Sequence, residues 1–324
     1  MKIGILGATG EVGRMIITLL EERRIFVSQL ELYASERSAG HSISYLDQQI
    51  VVKQITPEAL ESPFDYLLFS AGGKISLQYA PIAAEAGNTV IDNSSAFRRS
   101  RPLIVPEVNG LLVDNYTGII ANPNCSTIQV VLPLDIIQKM YGIEEIIIST
   151  YQSVSGAGHR GILALSSDSY RQSENNPFSR DIDYNVIPQI GDFDVDGNCE
   201  EESKMVYELK KILNAPDIKI SVTTVRVPVF YGHSESVFIR CKNNISIPEI
   251  ERQFLSKNYL EYKRNDYLTP KEIADSDQSH ISRLRKGPDD KSLLFWNVAH
   301  NVRLGAATNA ANIMQYLIEH RRKQ

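Results

Sequence analysis

The sequence predicts an α/β protein in which a doubly wound, parallel-sheet domain precedes an α+β domain with a mixed or largely antiparallel sheet. Three observations carry this prediction. Short apolar runs alternate with amphipathic ones over the first third of the chain. A glycine-rich turn joins the first apolar run to the first amphipathic one. After residue 127, long β-rich stretches follow one another with few helices between them, which is typical of antiparallel strands.

The first domain shows the pattern of βαβ units. Its strands are predicted at Lys2–Leu6, Leu30–Ala34, Tyr66–Ser70 and Thr89–Ile91. One helix carries apolar residues on a single face, namely Met15, Ile16, Leu19 and Leu20. A later helix that includes Ala80–Ala86 ends at Gly87. Strands that alternate with helices in this way pair in parallel.

The second domain begins with a helix predicted over about Thr127–Met140. Its strands are predicted at Glu145–Tyr151, Ile218–Val229 and Ser236–Cys241. A last amphipathic helix covers Gly305–His320. We therefore predict two domains, residues 1–127 and residues 128–301, with a C-terminal helix at about 302–324 that returns to the first domain.

Composition and charge exclude several classes of protein. The 324 residues are 43% hydrophobic and 23% charged, with a net charge of −5 and scattered cations, which argues against nucleic-acid binding. The chain contains no apolar run long enough to span a bilayer. Cys125, Cys199 and Cys241 lie far apart and form no CxxC pair, so we expect neither a disulfide framework nor a metal site. This use of cysteine indicates a reducing, cytoplasmic location.

The turn "GATGEVG" lies directly between the first strand and the first helix. Glycines at positions 7, 10 and 13 allow a tight turn and a close approach of the backbone to a pyrophosphate at the helix N-terminus. The spacing is GxxGxxG rather than GxGxxG. This turn favours a Rossmann-type dinucleotide site, and the alternative is a tight turn without a ligand.

The segment "ASERSAG" after the second strand bears on the choice of dinucleotide. A site for NAD usually presents a carboxylate here to the ribose 2′-hydroxyl. Ser35 and Ser38 instead flank Arg37, whose guanidinium suits a 2′-phosphate. Glu36 would favour NAD if it pointed inward. The segment favours NADP.

A single cysteine in "ANPNCST" is the candidate nucleophile. Cys125 precedes Ser126 and Thr127, which are good capping residues, so we expect it in the first turn of the following helix. There the helix dipole and free backbone N–H groups would stabilise a thiolate or an oxyanion. The alternative is an inert, buried thiol. Among the histidines, His233 in "FYGHSESVFI" is the candidate proton carrier, since it follows a small-residue turn between two strands.

Four further polar residues stand in contexts that suggest binding. Gln152 ends a strand before a glycine-rich loop, where it could orient a carbonyl or lie exposed. Glu201 and Lys204 lie one turn apart on a helix, and Glu201 projects toward the buried side. A solvated surface pair is the alternative for both. Arg226 lies inside an apolar strand, so we expect it to have an anionic partner or ligand.

Taken together, these segments resemble the aspartate-β-semialdehyde dehydrogenase family from end to end. The motifs that carry the resemblance are "GATGEVG", "SERSAG", "FSAGG", "IDNSSAFR", "VPEVN", "NPNCSTIQ", "STYQSVSGAG", "VIPQIG", "EESK", "VRVPV", "GHSESV" and "GAATNAANI". One departure is His300, which stands where the family commonly has an aspartate.

The resemblance implies roles for individual residues. It makes Cys125 the nucleophile, Gln152 the residue that positions the acyl intermediate, and His233 the acid/base. It implies that phosphate is held by Arg98 and Lys204, that the substrate amine and carboxylate are bound by Glu201 and Arg226, and that Asn124 also binds substrate. The cofactor-binding residues that it implies are Gly7, Thr9, Gly10, Glu11, Val12, Ser35, Arg37, Ser38, Ser155, Gly156 and Asn309.

The resemblance also implies an activity and an assembly. The activity is NADPH-dependent reduction of L-aspartyl-4-phosphate to L-aspartate-4-semialdehyde through a thioester at Cys125, in lysine, threonine, methionine and diaminopimelate biosynthesis. Residues 128–301 would then form a catalytic and dimerisation domain of a homodimer or homotetramer. The alternatives are a related acyl-phosphate reductase of the N-acetyl-glutamyl-phosphate type and a non-catalytic paralogue on the same fold.

Overall fold

A computed structural model describes residues 1–321 of the chain, which form two compact units. The first unit comprises Met1–Asn124 and the C-terminal segment that starts at Ala306, and the second comprises Cys125–Gly305. Residues 322–324, which fall within the predicted C-terminal helix, lie outside the described residues. Of the helices within the described range, none is long and apolar enough to cross a membrane.

The first unit is built on a parallel sheet with the strand order β5-β2-β1-β6-β7-β8, together with a separate β3–β4 hairpin. Its strands are β1 (Lys2–Leu6), β2 (Gln29–Ala34), β3 (Ser42–Tyr45), β4 (Gln48–Val51), β5 (Lys53–Gln54), β6 (Tyr66–Phe69), β7 (Thr89–Asp92) and β8 (Ile119–Ala121). The chain adds strands first on one side of β1 and then on the other. The prediction of a doubly wound parallel sheet is confirmed.

Four helices belong to the same unit as this sheet. They are α1 (Glu11–Glu22), α2 (Pro57–Glu61), α3 (Gly73–Glu85) and α4 (Pro106–Asn109). The buried face of α1 contains Ile16, Leu19 and Leu20 as predicted, together with Ile17. The fourth predicted residue, Met15, is only partly buried. Burial of such side chains contributes about 1.5–3 kcal/mol each.

The second unit is built on a mixed sheet with the strand order β10-β9-β11-β14-β13-β12. Its strands are β9 (Ile143–Gln152), β10 (Lys219–Arg226), β11 (His233–Cys241), β12 (Leu260–Lys263), β13 (Ser279–Lys286) and β14 (Ser292–Ala299). The edge pairs β10–β9 and β12–β13 are parallel, whereas the central pairs are antiparallel. This agrees with the predicted α+β class.

The helices of the second unit are α5 (Cys125–Tyr141), α6 (His159–Ser166), α7 (Asp168–Arg171), α8 (Glu200–Ile212) and α9 (Ile247–Leu255). Helix α5 packs against β9, β11, β13 and β14, and nearly all of its residues are buried. A helix that is apolar on every side belongs in the middle of a core. The first turn of α5 therefore has a fixed place over the sheet.

The chain ends in helix α10 (Asn309–Arg321), which follows a π-helical segment over Arg303–Thr308. Helix α10 contacts α1, α4 and β7 of the first unit. Its Ile313, Met314 and Leu317 join the core of that unit.

Candidate active site

Helix α5 begins at Cys125, two residues before the predicted start at Thr127, so the cysteine lies in the first turn as expected. Because the first N–H groups of a helix have no intrahelical acceptor, they and the helix dipole favour a negative charge at this position. The thiol side chain is half-buried. Gly305 lies against it, since a Cβ atom at Gly305 would stand 2.6 Å from the Cβ atom of Cys125. A side chain at residue 305 would therefore displace the cysteine.

His233 is the first residue of β11 and is fully buried. The sequence placed it between two strands, after a small-residue turn, whereas the structure includes it in the strand and pairs it with Ala299. The backbone N–H of Ser153 donates to Nδ1 of His233 at 3.0 Å. An Nδ1 atom that accepts a hydrogen bond carries no proton, so the neutral ring holds its proton at Nε2.

A network of side chains supports this ring. The hydroxyl of Ser153 lies 3.1 Å from Nδ1 of His233 and donates to Oδ1 of Asn301 at 3.1 Å. The same Oδ1 accepts from the backbone N–H of Gly232 at 2.9 Å and from the hydroxyl of Ser155 at 3.2 Å. Sequence reasoning missed Ser153 as a partner of the ring. No spacing could reveal it, because the two residues stand 80 positions apart.

The surroundings of His233 keep its ring neutral. Its pKa lies well below the ordinary value, because burial disfavours the charged ring and Arg226 and His300 repel a further positive charge. The Nε2 atom is buried and has no hydrogen-bond partner among residues 1–321. A Cβ atom at Gly156 would stand 3.4 Å from this Nε2 and 2.6 Å from Nη1 of Arg226. The backbone at Gly156 therefore lies against both side chains.

Arg226, the last residue of β10, is buried. Its Nη1 donates to the backbone carbonyl of Ser153 at 2.6 Å. Burial lowers the pKa of Arg226, and the negative charges of Glu201 and Cys125 act in the opposite direction. Glu201 is buried, as predicted, and accepts from Nε2 of Gln152 at 3.2 Å. The structure thus brings the predicted amide, carboxylate and guanidinium into one buried cluster.

The residues implied to bind phosphate have other contacts. Lys204 forms an ion pair with Glu200 at 2.8 Å on the partly exposed side of α8. In the first unit, Arg98 is buried and donates to backbone carbonyls at Asn93, Ser94 and Asn122, all at 3.0 or 3.1 Å. The predicted Asn124 is likewise buried, at the end of that unit.

A cavity of about 270 Å³ opens at the C-terminal ends of β1 and β2. This is the edge of a parallel sheet at which ligands bind in doubly wound folds. Its lining consists of Gly7, Thr9, Gly10, Tyr33, Ala34, Ser35, Arg37, Ser38, Ile55, Ser70, Ala71 and Ile75. Six predicted cofactor residues are in this set, while Glu11 and Val12 lie in the first turn of α1 beside it. Glu36 is not among the lining residues of the described chain.

The glycine turn has the geometry that a pyrophosphate site requires. Gly7 has φ +79°, and a Cβ atom there would stand 2.7 Å from the backbone oxygen of Ser70. A Cβ atom at Gly13 would stand 2.2 Å from the backbone oxygen of Gly7, so α1 packs directly on the turn. Gly10 caps α1 without a side-chain hydrogen bond. These features, together with Arg37 in the lining of the cavity, fit a dinucleotide.

The residues implied to surround a nicotinamide lie in both units. Ser155 and Gly156 belong to a 3-10 turn over Val154–Ala157 in the second unit. Asn309 begins α10 in the first unit, where its amide donates to Asn122 at 2.6 Å and to the backbone carbonyl of Ile104 at 2.9 Å. These hydrogen bonds also give Asn309 a structural role.

His300, the departure from the family pattern, follows β14 and is buried. Its ring stacks on Tyr231 with 5.4 Å between the ring centroids, and Nδ1 accepts from the backbone N–H of Arg303 at 3.1 Å. Burial lowers the pKa of His300 to about 4, and the nearby charge of Arg303 acts in the same direction. The ring of His300 is thus held neutral in an aromatic stack.

Two family models match the chain. The NAD binding domain of semialdehyde dehydrogenases matches residues 2–116, and the semialdehyde dehydrogenase dimerisation domain matches residues 134–304.

Relatives and solved structures match over almost the whole chain. Aspartate-semialdehyde dehydrogenase of Aquifex aeolicus is 43% identical over 98% of each chain, and the Bacillus subtilis protein of the same name is 38% identical over 98% of this chain and 97% of its own. The structure of aspartate semialdehyde dehydrogenase II of Vibrio cholerae, complexed with ASA, superposes with a TM-score of 0.94 at 40% identity and covers 98% of each chain.

Proposed function

This chain belongs to the aspartate-semialdehyde dehydrogenase family, and from that membership we propose that it reduces L-aspartyl-4-phosphate to L-aspartate-4-semialdehyde with release of phosphate. The observation that carries the proposal is the buried cluster around Gly156. The backbone at Gly156 lies against the side chains of both Arg226 and His233. The negative charge of Cys125 also acts on the pKa of Arg226. A nucleophile, a proton carrier and a carboxylate-binding cation are the groups that this reaction needs.

In the first step Cys125 acts as the nucleophile. Its thiolate sulfur attacks the β-carbonyl carbon of the acyl phosphate, and a carbon–sulfur bond forms. The bond from that carbon to the phosphate oxygen breaks, and phosphate leaves with the electron pair. The helix N-terminus and the charge of Arg226 favour the thiolate form. The product of this step is a thioester.

The substrate is held by charges that match its own. We assign the α-carboxylate to the guanidinium of Arg226 and the α-amine to the carboxylate of Glu201, because both charges are buried and so favour a charged ligand. Gln152, which donates to Glu201, positions the acyl group. We assign the phosphate to Arg98 and Lys204, and a further substrate contact to Asn124.

His233 transfers a proton to and from the acyl oxygen. In the resting ring the proton is at Nε2, which has no partner among the described residues. Because Ser153 offers both an N–H donor and a hydroxyl to Nδ1, the ring can carry a proton at either nitrogen. A doubly protonated ring, with Nδ1–H donating to the Ser153 hydroxyl, can give its Nε2 proton to the acyl oxygen and become neutral, and it takes this proton back when the thiohemiacetal collapses to aldehyde and thiolate.

We also propose that the cavity of the first unit binds NADP. We assign the pyrophosphate to the turn formed by Gly7, Thr9, Gly10, Glu11 and Val12, and the 2′-phosphate to Ser35, Arg37 and Ser38. Glu36, which would favour NAD, is not among the described residues that line this cavity. Ser155, Gly156 and Asn309 are assigned to the nicotinamide end. When bound, the nicotinamide of NADPH supplies the hydride that reduces the thioester.

We further propose that the second unit joins two copies of the chain, as a homodimer or a dimer of dimers. The face of β9 that points away from α5 exposes Ile147 and Tyr151, at 44% and 38%, and Tyr151 packs on Trp296 of β14. Exposed apolar side chains on a sheet face are typical of an interface. The product would supply lysine, threonine, methionine and diaminopimelate biosynthesis.

The test is phosphate-dependent reduction of NADP by the purified protein with aspartate semialdehyde. We expect turnover that is lost in Cys125→Ala and almost lost in Cys125→Ser, whose hydroxyl is a far weaker nucleophile. Turnover with N-acetyl-glutamate semialdehyde instead would identify the related reductase. A lack of turnover with either substrate and with either NADP or NAD would favour a non-catalytic paralogue.

A further inference from the structure

A glutamate side chain of α8 binds the edge of the second sheet, close to the assigned substrate contacts. Strand β10 lies at this edge and ends at Arg226, whose backbone N–H donates to the carbonyl of Ile187 at 2.8 Å. Two residues earlier, the backbone N–H of Thr224 donates to Oε1 of Glu202 at 2.9 Å. A carboxylate of α8 thus binds an edge N–H group that could otherwise pair with another strand.

Glu202 also binds the backbone at the start of its own helix. Its Oε2 accepts from the backbone N–H of Cys199, the residue that caps α8, at 2.8 Å. The two carboxyl oxygens therefore each accept one hydrogen bond, one from the helix start and one from the strand. Sγ of Cys199 lies 3.1 Å from Oγ1 of Thr224, and neither residue has exposed surface. The helix start and β10 are thus in direct contact around this carboxylate.

Other backbone hydrogen bonds hold the first turn of α8 in place. The N–H of Glu200 donates to the carbonyl of Asp192 at 2.9 Å, and that of Glu201 donates to the carbonyl of Ile190 at 3.2 Å. The first N–H groups of a helix have no intrahelical acceptor, so acceptors outside the helix decide how its first turn is oriented. Of these contacts of the turn, the one through Glu202 reaches β10.

The residues on either side of this link are assigned to the substrate. Glu201 directly precedes Glu202, and Lys204 follows it by two residues on α8. On β10, Arg226 follows Thr224 by two residues, which is about 7 Å along a strand. The charges assigned to the substrate amine and carboxylate are therefore on two different elements, and Glu202 joins these elements beside both charges.

We propose that Glu202 is a positioning residue, which holds the carboxylate of Glu201 at a fixed distance from the guanidinium of Arg226. The inference rests on the proposed function, because it concerns the substrate contacts assigned there. An α-amino acid carries its amine and carboxylate on one carbon, so its two charges have a fixed separation. Binding groups held at the matching separation lose less freedom when the ligand binds. Glu202 thereby favours an α-amino acid over a carboxylate that lacks the amine.

Glu202→Gln tests the link with little change in side-chain volume. The amide has one acceptor oxygen in place of two, and its NH2 group would face a backbone N–H, so only one of the two hydrogen bonds can remain. We expect KM for aspartate semialdehyde to rise by about tenfold, with kcat within about threefold of wild type. The effect falls on KM because Cys125 and His233 lie on other elements, α5 and β11.

Glu249→Gln is the matched control. Glu249 is the third residue of α9, as Glu202 is of α8, and its Oε2 accepts from the hydroxyl of Tyr141 at 2.9 Å. The control removes a carboxylate at the same helical position in the same unit without touching β10. We expect both variants to lose thermal stability, but only Glu202→Gln to raise KM.

Selectivity gives a readout that a merely structural role would not move. Succinate semialdehyde lacks the α-amine, so Glu201 contributes nothing to its binding. The ratio of kcat/KM for aspartate semialdehyde to that for succinate semialdehyde should fall by about three- to tenfold in Glu202→Gln. In a Glu201→Gln background, Glu202→Gln should change this ratio by less than about twofold, because the two residues act as a unit.

Amide hydrogen exchange tests the link itself, whatever reaction the protein catalyses. The N–H groups of Cys199 and Thr224 donate to Glu202, so both should exchange slowly in wild type and in Glu249→Gln. In Glu202→Gln at least one of them should exchange about tenfold faster or more.

Each result decides one point. Unchanged exchange of both amides in Glu202→Gln would overturn the link. Faster exchange with unchanged KM and unchanged selectivity would overturn the positioning role, as would an equal rise in KM for Glu249→Gln. A wild-type protein with both amides protected but no turnover of aspartate semialdehyde would instead count against the proposed function.

Discussion

The backbone N–H of Ser153 donates to Nδ1 of His233 at 3.0 Å, while the hydroxyl of the same serine lies 3.1 Å from that nitrogen. Any amino acid except proline at position 153 would supply the backbone N–H donor. The hydroxyl acceptor belongs to the serine side chain. The two parts can be separated by mutation. The hydroxyl stabilises a ring that carries a proton at Nδ1, and the N–H stabilises a ring that does not.

Ser153→Ala keeps the N–H and removes the hydroxyl. We expect kcat to fall by about tenfold and the acid limb of the pH–rate profile to move to lower pH, because the protonated ring loses an acceptor. The measurement is the pH dependence of kcat/KM. Ser149→Ala, which removes a hydroxyl within β9 four residues earlier, is the control. An unchanged profile in Ser153→Ala would show that the hydroxyl does not act on the ring.

Gly156→Ala tests the contact between the backbone and the two catalytic side chains. The new Cβ atom would stand 2.6 Å from Nη1 of Arg226, so the guanidinium must move. We expect KM for aspartate semialdehyde to rise by at least about tenfold, since Arg226 is assigned to its carboxylate. Gly73→Ala, where a Cβ atom meets nothing within 4 Å, should leave KM at the wild-type value. Equal KM values for the two variants would contradict the assignment.

Arg37→Ala tests the choice of NADP. Removing a guanidinium that binds the 2′-phosphate should raise KM for NADP by about 10- to 100-fold and leave KM for NAD almost unchanged. Steady-state kinetics with both dinucleotides measure this. Lys271→Ala removes an exposed cation of the second unit and serves as the charge control. A parallel rise for both dinucleotides would point to a general loss of binding.

The stability of the protein should fall in mild acid because of His300. Its pKa is about 4 in the folded chain and 6.5 ordinarily, so the unfolded chain binds the extra proton first. The free energy of unfolding should therefore decrease by about 2 kcal/mol between about pH 7 and about pH 5, and the loss should level off below about pH 4. His233, whose pKa is also lowered, acts in the same direction.

Urea unfolding at several pH values measures this loss. His300→Asn removes the titrating ring, so its stability should depend less steeply on pH than that of the wild type. His41→Asn, at an exposed position, should show the wild-type slope. If His300→Asn and wild type lose the same free energy on acidification, His300 is not the cause.

Local patterns were sufficient to predict those parts of the fold that depend on neighbouring residues. The four predicted strands of the first unit (β1, β2, β6 and β7), most of the buried face of α1 and the position of Cys125 in the first turn of α5 all follow from periodicity and capping within a few residues. The short strands β3, β4, β5 and β8 were not predicted. Glu201 was predicted to face inward because helical spacing to Met205 sets its direction.

The contacts that the sequence did not reveal depend on strand register. Glu235 stands opposite Thr150 and Asn297 because three strands distant along the chain align side by side. Ser153 meets His233 for the same reason. A shift of one residue in any of these strands would turn the side chains to the other face. Such contacts are properties of the sheet, and no short segment contains them.

The burial of helix α5 on nearly every side has a consequence for inactivation. A helix enclosed in this way should not open locally, so its hydrogen-bonded amides beyond the first turn should exchange only when the whole second unit opens. Denaturant titrations that follow Cys125 reactivity and those that follow the secondary structure of this unit should then coincide. Cys125 should thus lose its native reactivity in the same cooperative transition in which the core around α5 unfolds.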